Sequence, residues 1–295
     1  MKILVIGSKG QLGWELCRRS AGFDQEIVGL DLPDLDITKP EQIRNILNDF
    51  GACLVVNAAA YTAVDKAEAE PDPAFAVNAD GPGHLAVYCA EANIPLIHLS
   101  TDYVFDGEKE GAYLENDPVA PLGVYGKSKA AGEEKVRKHL REHIILRTAW
   151  LYGSYGHNFV KTILRSAKVK EVLRVVADQH GCPTYAGDLA EAILAISNQI
   201  QKQKRISWGT YHYCGAGVTT WHGFAEKIIE LSRKHDSFKV LEISPITTED
   251  YPTPTRRPKN SALDCSLIGK QFGIYPKPWL KSLENMLERL RTVDD

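Results

Sequence analysis

The chain has 295 residues, of which 44% are hydrophobic and 25% are charged. These values are typical of a folded globular protein and exclude collagen-like, repetitive or disordered composition. The formal net charge of −3 excludes the overall positive field that attracts nucleic acid or anionic lipid.

Short apolar runs alternate with longer amphipathic segments in the first half of the chain. This alternation is typical of a parallel sheet covered by helices on both faces. We therefore predict an α/β fold built on a Rossmann-type doubly wound parallel sheet. The predicted strands are Ile3–Ile6, Ile27–Leu30, Leu54–Val56, Leu96–Leu99 and Ile144–Leu146, and the predicted helices are Gln11–Arg19, Thr38–Phe50, Pro73–Ala92 and Lys127–Leu140.

The second of these helices carries a signal for its start. Thr38 and Glu41 form a T-x-x-E capping box, and Pro40 lies in the first turn, where proline is favoured. We therefore expect Thr38 to cap this helix.

The pattern becomes less regular after Trp150. We predict helices near Asn158–Lys168, Ala186–Ile200 and Trp221–Lys234, a strand at Leu173–Ala177, and otherwise loops and a proline-rich tail. The prolines of residues 248–258 exclude regular helix there. We predict a dinucleotide-binding Rossmann domain of residues 1–150 plus roughly 171–200, and a smaller C-terminal substrate-binding domain of residues 151–170 plus roughly 201–295.

A glycine-rich turn follows the first strand. Gly7, Gly10 and Gly13 form a G-x-x-G-x-x-G pattern that opens a helix, where backbone amides and the helix N-terminus can bind a pyrophosphate. Asp31, at the end of the second strand, can accept hydrogen bonds from an adenosine ribose, or can simply form a turn. No arginine lies near it in the sequence to bind a 2′-phosphate, so NADH is favoured and NADPH stays open.

Three further residues indicate carbonyl reduction. Tyr125 and Lys129 form a Tyr-x-x-x-Lys pair, which a helix places on one face, and an ammonium beside a phenol lowers its pKa toward the working range. Thr101 ends the fourth strand, at the sheet edge where open α/β folds bind ligands. We predict Tyr125 as the proton donor, Lys129 as its partner and ribose contact, and Thr101 as a contact to the substrate oxygen.

Several segments together resemble the dTDP-4-dehydrorhamnose reductases, a family of the extended short-chain dehydrogenases/reductases. The resemblance covers nearly the whole chain. It is carried by residues 7–13, N-A-A-A-Y-T-A-V-D-K-A-E at 57–68, S-T-D-Y-V-F-D-G at 100–107, Y-G-K-S-K at 125–129, R-T-A-W at 147–150, Q-H-G-C-P-T at 179–184 and R-P-K-N-S at 257–261.

This resemblance implies a reaction and a set of binding residues. The family reduces the 4-keto group of dTDP-4-dehydro-L-rhamnose, a dTDP-linked 4-keto-6-deoxy sugar, to dTDP-L-rhamnose with NADH or NADPH. The implied cofactor residues are Gly10, Gln11, Leu12, Asp31, Asp36, Ile37, Ala60, Tyr61 and Thr62, and the implied substrate residues are Thr101, Asp102, Tyr125, Lys129 and Trp150.

Two substrate contacts have alternatives. Trp150 either stacks on the sugar nucleotide or closes the sheet edge as part of the core, and with the resemblance we favour substrate contact. Arg257, beside Arg256, either binds the diphosphate through bidentate hydrogen bonds or is a solvated loop residue.

Metal, membrane and assembly predictions complete the sequence interpretation. The six cysteines have no C-x-x-C or close Cys/His spacing, so we predict free thiols and no metal site. Some family members bind a divalent ion at a subunit contact, and Glu15, Glu191 and Glu288 would be its ligands here, but we do not predict that site. No apolar run reaches the ~18 residues of a membrane span, so we expect a cytoplasmic protein, either a monomer or a homodimer.

Two other functions share this fold. A sugar-nucleotide dehydratase or epimerase also uses Tyr-x-x-x-Lys, but the dehydratases usually have an Asp-Glu pair after the strand-four threonine, where this chain has Asp102 and Tyr103. A non-catalytic regulatory subunit would not need Thr101, Tyr125, Lys129 and the glycine turn together.

Overall fold

The computed structural model describes residues 1–19, 25–202 and 205–293. The described strands are β1 Lys2–Ile6, β2 Glu26–Leu30, β3 Leu54–Asn57, β4 Leu96–Thr101, β5 His143–Thr148, β6 Leu151–Tyr152, β7 Val172–Val176, β8 His180–Gly181, β9 Thr184–Tyr185, β10 Gly209–His212, β11 Thr219–Thr220 and β12 Glu242–Ile246. The described α-helices are α1 Gln11–Arg19, α2 Pro40–Phe50, α3 Val64–Ala67, α4 Pro71–Phe75, α5 Gly81–Ala92, α6 Val124–His139, α7 Phe159–Ala167, α8 Ala186–Gln201, α9 Trp221–Ser232, α10 Ser266–Phe272 and α11 Trp279–Val293.

Six parallel strands form the main sheet, in the order β10-β5-β4-β3-β1-β2. Both faces of the sheet are buried, because alternate residues of a strand point to opposite faces. Ile3 and Val5 pack on the side of α1 and α8, whereas Leu4 and Ile6 pack on the side of α2 and α5. The predicted α/β, doubly wound parallel sheet is therefore confirmed.

A second, smaller core lies outside the main sheet. It is formed by apolar side chains of α7, α9 and α11 that pack with those of β7. Val160, Phe224, Leu283 and Met286 are fully buried in it. Helix α11 supplies Leu283, Met286 and Leu287 to this core at helical spacing, so the prediction of a proline-rich tail is wrong for this segment.

Two strands lie differently from the predicted division of the chain. Residues Val172–Val176 pair with Glu242–Ile246 outside the main sheet, although they fall in the segment predicted for the Rossmann domain. Residues Gly209–His212 pair with β5 as the edge of the main sheet, although that segment was predicted as loop of the smaller domain. A four-residue strand with a glycine has too little alternation to be recognised from sequence.

The helix boundaries show two further differences. Helix α2 begins at Pro40 and its N-cap residue is Lys39, without a side-chain cap, so the predicted capping box is wrong. The Thr38 hydroxyl instead donates to Asp36 Oδ1 at 2.7 Å. The predicted helix Pro73–Ala92 contains a π-helical turn at Ala76–Asp80. Among the described residues, no helix is both long and apolar enough to cross a membrane.

Candidate active site

The glycine turn joins β1 to α1 and depends on close packing at two of its glycines. Gly7 has φ +84°, and a Cβ built on it would lie 2.5 Å from the amide nitrogen of Ala59. A Cβ on Gly13 would lie 2.2 Å from the carbonyl oxygen of Gly7. A side chain at Gly7 would push the turn away from the segment that follows β3, and one at Gly13 would push α1 away from the turn. Their absence leaves a cradle of backbone at the N-terminus of α1.

A cavity of about 770 Å³ runs from this turn along the carboxyl ends of the parallel strands. Nearly all of the predicted site residues line it. Those lining it are Gly7, Gly10, Gln11, Leu12, Asp31, Asp36, Ile37, Ala60, Tyr61, Thr62, Thr101, Asp102, Tyr125, Lys129 and Trp150. Gly13 and Arg257 are the predicted residues that do not line it, since Gly13 packs against Gly7 within the turn.

Asp31 and Lys9 lie side by side at one end of the cavity. The carboxylate of Asp31 accepts the backbone N–H of Lys9 and that of Leu32, both at 2.8 Å. The ammonium of Lys9 donates to the carbonyl oxygen of Leu32 at 2.6 Å and forms no ion pair within the described residues. A carboxylate and an ammonium group therefore lie together at this end of the cavity. Lys9 was not identified from the sequence, because only arginine was considered as a partner for a 2′-phosphate.

Tyr61 lines the cavity, and both its backbone and its phenol are bonded to other parts of the protein. Asn78 accepts the amide N–H of Tyr61 at 2.9 Å and donates to its carbonyl oxygen at 3.1 Å. The hydroxyl of Tyr61 donates to Glu70 Oε2 at 2.9 Å. This fixes the segment of Ala60, Tyr61 and Thr62 that follows β3.

Thr101, Tyr125 and Lys129 meet at the carboxyl end of β4. Tyr125 and Lys129 lie one turn apart on α6, and the Lys129 ammonium donates to the carbonyl oxygen of Leu99 at 2.6 Å. Lys129 is 2% exposed, and burial lowers its pKa to about 8 although Glu133 opposes this.

The pKa of Tyr125 differs from the sequence expectation. Burial raises the pKa of its phenol, and the neighbouring Thr101 hydroxyl only partly opposes this. The expected lowering by the Lys129 ammonium is therefore wrong for the free protein, because desolvation of the phenolate dominates and the ammonium is held at Leu99. Tyr125 is consequently protonated throughout the neutral range.

Trp150 lies between the two cores. Its backbone has φ +47°, a conformation that is unusual for a bulky residue. Its ring stacks on Trp221 with centroids 3.6 Å apart and an interplanar angle of 8°. Glycine is required at position 181, since a Cβ there would lie 2.4 Å from Trp150 Cε2. The indole thus belongs to the packed interior and also lines the cavity.

Arg257 lies behind Tyr103, which lines the cavity and was not predicted. Its guanidinium donates to Asp65 Oδ2 at 2.6 Å and to the Tyr103 hydroxyl at 3.2 Å. The side chain of Arg257 is 19% exposed. Both bonds direct Arg257 into protein contacts, and they hold the Tyr103 ring, which packs edge-on against Tyr125 at 5.5 Å.

Two of the glutamates considered for a divalent ion, Glu15 and Glu191, are paired with basic side chains. Glu15 is fully buried and its Oε2 is bonded by Arg19 at 3.0 Å and Arg289 at 2.9 Å. Glu191 is bonded by Arg19 and by Lys277 at 2.8 Å. Guanidinium and ammonium groups therefore already bind the carboxylates of Glu15 and Glu191, and the described residues contain no group of three or more side chains that could hold a metal ion.

Comparisons with known proteins agree with this geometry. A family model described as "RmlD substrate binding domain" matches residues 1–292. A dTDP-4-dehydrorhamnose reductase of Aggregatibacter actinomycetemcomitans is 43% identical over 290 residues, which cover 97% of this chain and 98% of the relative.

Two solved structures are similar along their whole length. A dTDP-4-dehydrorhamnose reductase from Clostridium acetobutylicum has a TM-score of 0.92 and 38% identity, covering 99% of this chain and 100% of that chain. A dTDP-4-dehydrorhamnose reductase from Bacillus anthracis, in complex with NADP, has a TM-score of 0.89 and 35% identity, covering 98% of this chain and 99% of that chain.

Proposed function

This chain belongs to the RmlD substrate binding domain family, and from this premise we propose that it reduces the 4-keto group of dTDP-4-dehydro-L-rhamnose to form dTDP-L-rhamnose, using NADH or NADPH. The observation that supports the proposal most is that Thr101, Tyr125 and Lys129 line the same cavity as the glycine turn. A proton donor and a dinucleotide cradle in one cavity are what carbonyl reduction requires.

The residues at the turn fit a dinucleotide. The backbone around Gly7 and Gly10 would hold the pyrophosphate at the N-terminus of α1, and Asp31 and Lys9 would face the adenosine ribose. Lys129 would hold the nicotinamide ribose. When bound, the reduced cofactor supplies the hydride for carbon 4 of the sugar.

Tyr125 is the proton donor in this proposal. Because burial raises the pKa of its phenol, Tyr125 carries its proton at neutral pH and needs no prior activation as an acid. The Thr101 hydroxyl, which lines the same cavity, would contact the keto oxygen. Tyr125 gives its proton to that oxygen as negative charge develops there.

The sugar nucleotide lies between the sheet edge and the smaller core. Trp150 supplies an aromatic face at this boundary, and Asp102 lines the wall next to Thr101. Arg257 acts by holding Tyr103 in place, since its nitrogens are bonded to Asp65 and Tyr103. The predicted domain boundaries, homodimer and cytoplasmic location remain predictions.

The test is the loss of NADH or NADPH absorbance when the purified protein receives dTDP-4-dehydro-L-rhamnose. We expect stoichiometric oxidation of the cofactor and formation of dTDP-L-rhamnose. UDP- and GDP-linked 4-keto sugars, assayed in parallel, test the nucleotide. Turnover of one of these in place of the dTDP sugar would contradict the substrate assignment, and no oxidation with any of them would support the regulatory alternative.

A further inference from the structure

Three polar groups lead from Tyr125 into the protein. The Thr101 hydroxyl lies close enough to the Tyr125 phenol to oppose the rise in its pKa, and Thr101 Oγ1 donates to Asp102 Oδ1 at 2.9 Å. Thr101 and Asp102 are 6% and 3% exposed, and both line the cavity. The phenol, hydroxyl and carboxyl groups are therefore neighbours, with the hydroxyl of Thr101 between the other two.

The surroundings of Asp102 allow its carboxyl to carry a proton. The polar side chains that face it are those of Thr101, Tyr103, Tyr125, Cys182 and Ser261, and no cationic side chain of the described residues pairs with it. Burial raises the pKa of Asp102 to about 6, and its hydroxyl neighbours only partly oppose this. An oxygen of this carboxyl, Oδ2, is buried without a hydrogen-bonding partner among the described residues.

Burying a charged aspartate at position 102 costs folding free energy, and positioning Thr101 does not require that charge. An asparagine oxygen would accept the same hydrogen bond without the cost of burying a charge. The carboxyl differs from an amide in one respect that matters for reduction, because it can release a proton and take one up.

We propose that Asp102 is the proton store that reprotonates Tyr125 through the hydroxyl of Thr101. This inference rests on the proposed reductase function. Each reduction removes the proton of Tyr125 and leaves a phenolate. The O–H bond of Thr101 then breaks as its proton passes to the phenolate oxygen, and the carboxylic acid of Asp102 passes its own proton to Thr101 Oγ1. The resulting carboxylate takes a proton from water in the cavity after product release.

The relay predicts a difference between the first and later turnovers. In Asp102→Asn, Tyr125 begins protonated, so the rate of the first turnover should lie within about threefold of the parent rate. The steady-state rate should fall by about 10²-fold, which is the lower end for loss of a proton-transfer group. Stopped-flow absorbance of NADH separates the two phases. Asp106→Asn is the matched control, because Asp106 lies nearby, bonds Tyr113 at 2.6 Å and does not line the cavity.

The dependence of kcat on pH gives a second readout. The donor is the protonated carboxyl, so the parent loses kcat as the pH rises through about 6, and Asp102→Asn loses this dependence. Thermal unfolding of each variant establishes that it is folded. If Asp102→Asn lowered the rates of the first and later turnovers equally, Asp102 would be a substrate-binding residue and the relay would be overturned. An unchanged steady-state rate would also overturn the relay.

A spectroscopic measurement is independent of turnover. The infrared difference spectrum of the free protein between acidic and neutral pH should contain a buried carboxylic-acid band that is absent in Asp102→Asn and present in Asp106→Asn. Its absence from the parent would overturn the relay while leaving the proposed reduction intact. A parent protein with this band but no oxidation of NADH would overturn both the proposed function and the relay.

Discussion

Replacing Lys9 tests how the cavity distinguishes NADPH from NADH. Within the described residues, the ammonium of Lys9 is bonded only to a backbone carbonyl, and it faces the place expected for the adenosine ribose. A 2′-phosphate there would accept a charge-assisted hydrogen bond, for which ~1.5–3 kcal/mol is typical. Since Lys9 is exposed and solvent screens the pair, we take the lower limit, which corresponds to roughly tenfold in Kd.

We therefore expect Lys9→Met to weaken NADPH binding about tenfold and to leave NADH binding within about twofold. Asp31→Asn should strengthen NADPH binding relative to NADH binding, because it removes an anion that repels the 2′-phosphate. Asparagine retains an oxygen for one of the two backbone bonds that Asp31 accepts, whereas alanine would lose both and disturb the turn.

Fluorescence titration of both cofactors without sugar measures these affinities directly. Adenosine 2′,5′-bisphosphate and adenosine 5′-phosphate, used as competitors, restrict the measurement to the adenosine end of the site. Lys39→Met is the matched control, because Lys39 is exposed and does not line the cavity. Equal weakening of NADH and NADPH by Lys9→Met, or no change in either, would refute the assignment.

Three further predictions concern the sugar-facing side of the cavity. Tyr125→Phe should lower kcat by ~10²–10⁴-fold with an unchanged Kd for NADH in fluorescence titration, and turnover close to that of the parent would exclude Tyr125 as the acid. The kcat/KM of the parent should fall as the pH rises through about 8, because the Lys129 ammonium loses its proton there; a pH–rate profile that is flat to higher pH would contradict a required ammonium. Trp150→Ala should raise the KM for the sugar nucleotide more than the KM for the cofactor, since aromatic stacking contributes about 0.5–1.5 kcal/mol beyond burial, and an equal effect on both would indicate a purely structural role.

Local patterns were sufficient to predict the centre of the fold. Four of the first five strands are apolar runs buried on both faces, as Ile3 and Leu4 illustrate, whereas β2 is a half-buried edge strand. These apolar runs distinguish the strands from the helices between them. The glycine turn and the Tyr-x-x-x-Lys pair are likewise short-range patterns. Each of them reflects a constraint within one or two turns of chain, such as the close approach of Gly13 to the carbonyl oxygen of Gly7.

Features that depend on distant contacts were not predictable in this way. Arg257 is bonded to Asp65, 192 residues away in the sequence, and no local pattern reveals that its nitrogens are occupied. The pKa of Tyr125 is raised mainly by burial in the assembled fold, while the Lys129 ammonium is bonded to the carbonyl oxygen of Leu99. Thr38 has a capping sequence, but Asp36 accepts its hydroxyl proton and the helix begins two residues later.

Trp150 connects the two cores at the cavity. A non-glycine residue with positive φ typically costs ~1–3 kcal/mol and persists only where its surroundings enforce it. Here β5 ends two residues earlier in the main sheet, while the ring is stacked on Trp221 of the smaller core and confined by Gly181. The backbone strain therefore fixes the direction in which the chain leaves the sheet, and with it the position of the smaller core relative to Thr101 and Tyr125. The sugar nucleotide is proposed to lie between these two parts. The stacking of Trp150 on Trp221, which holds the strained backbone, therefore also sets the width of the site.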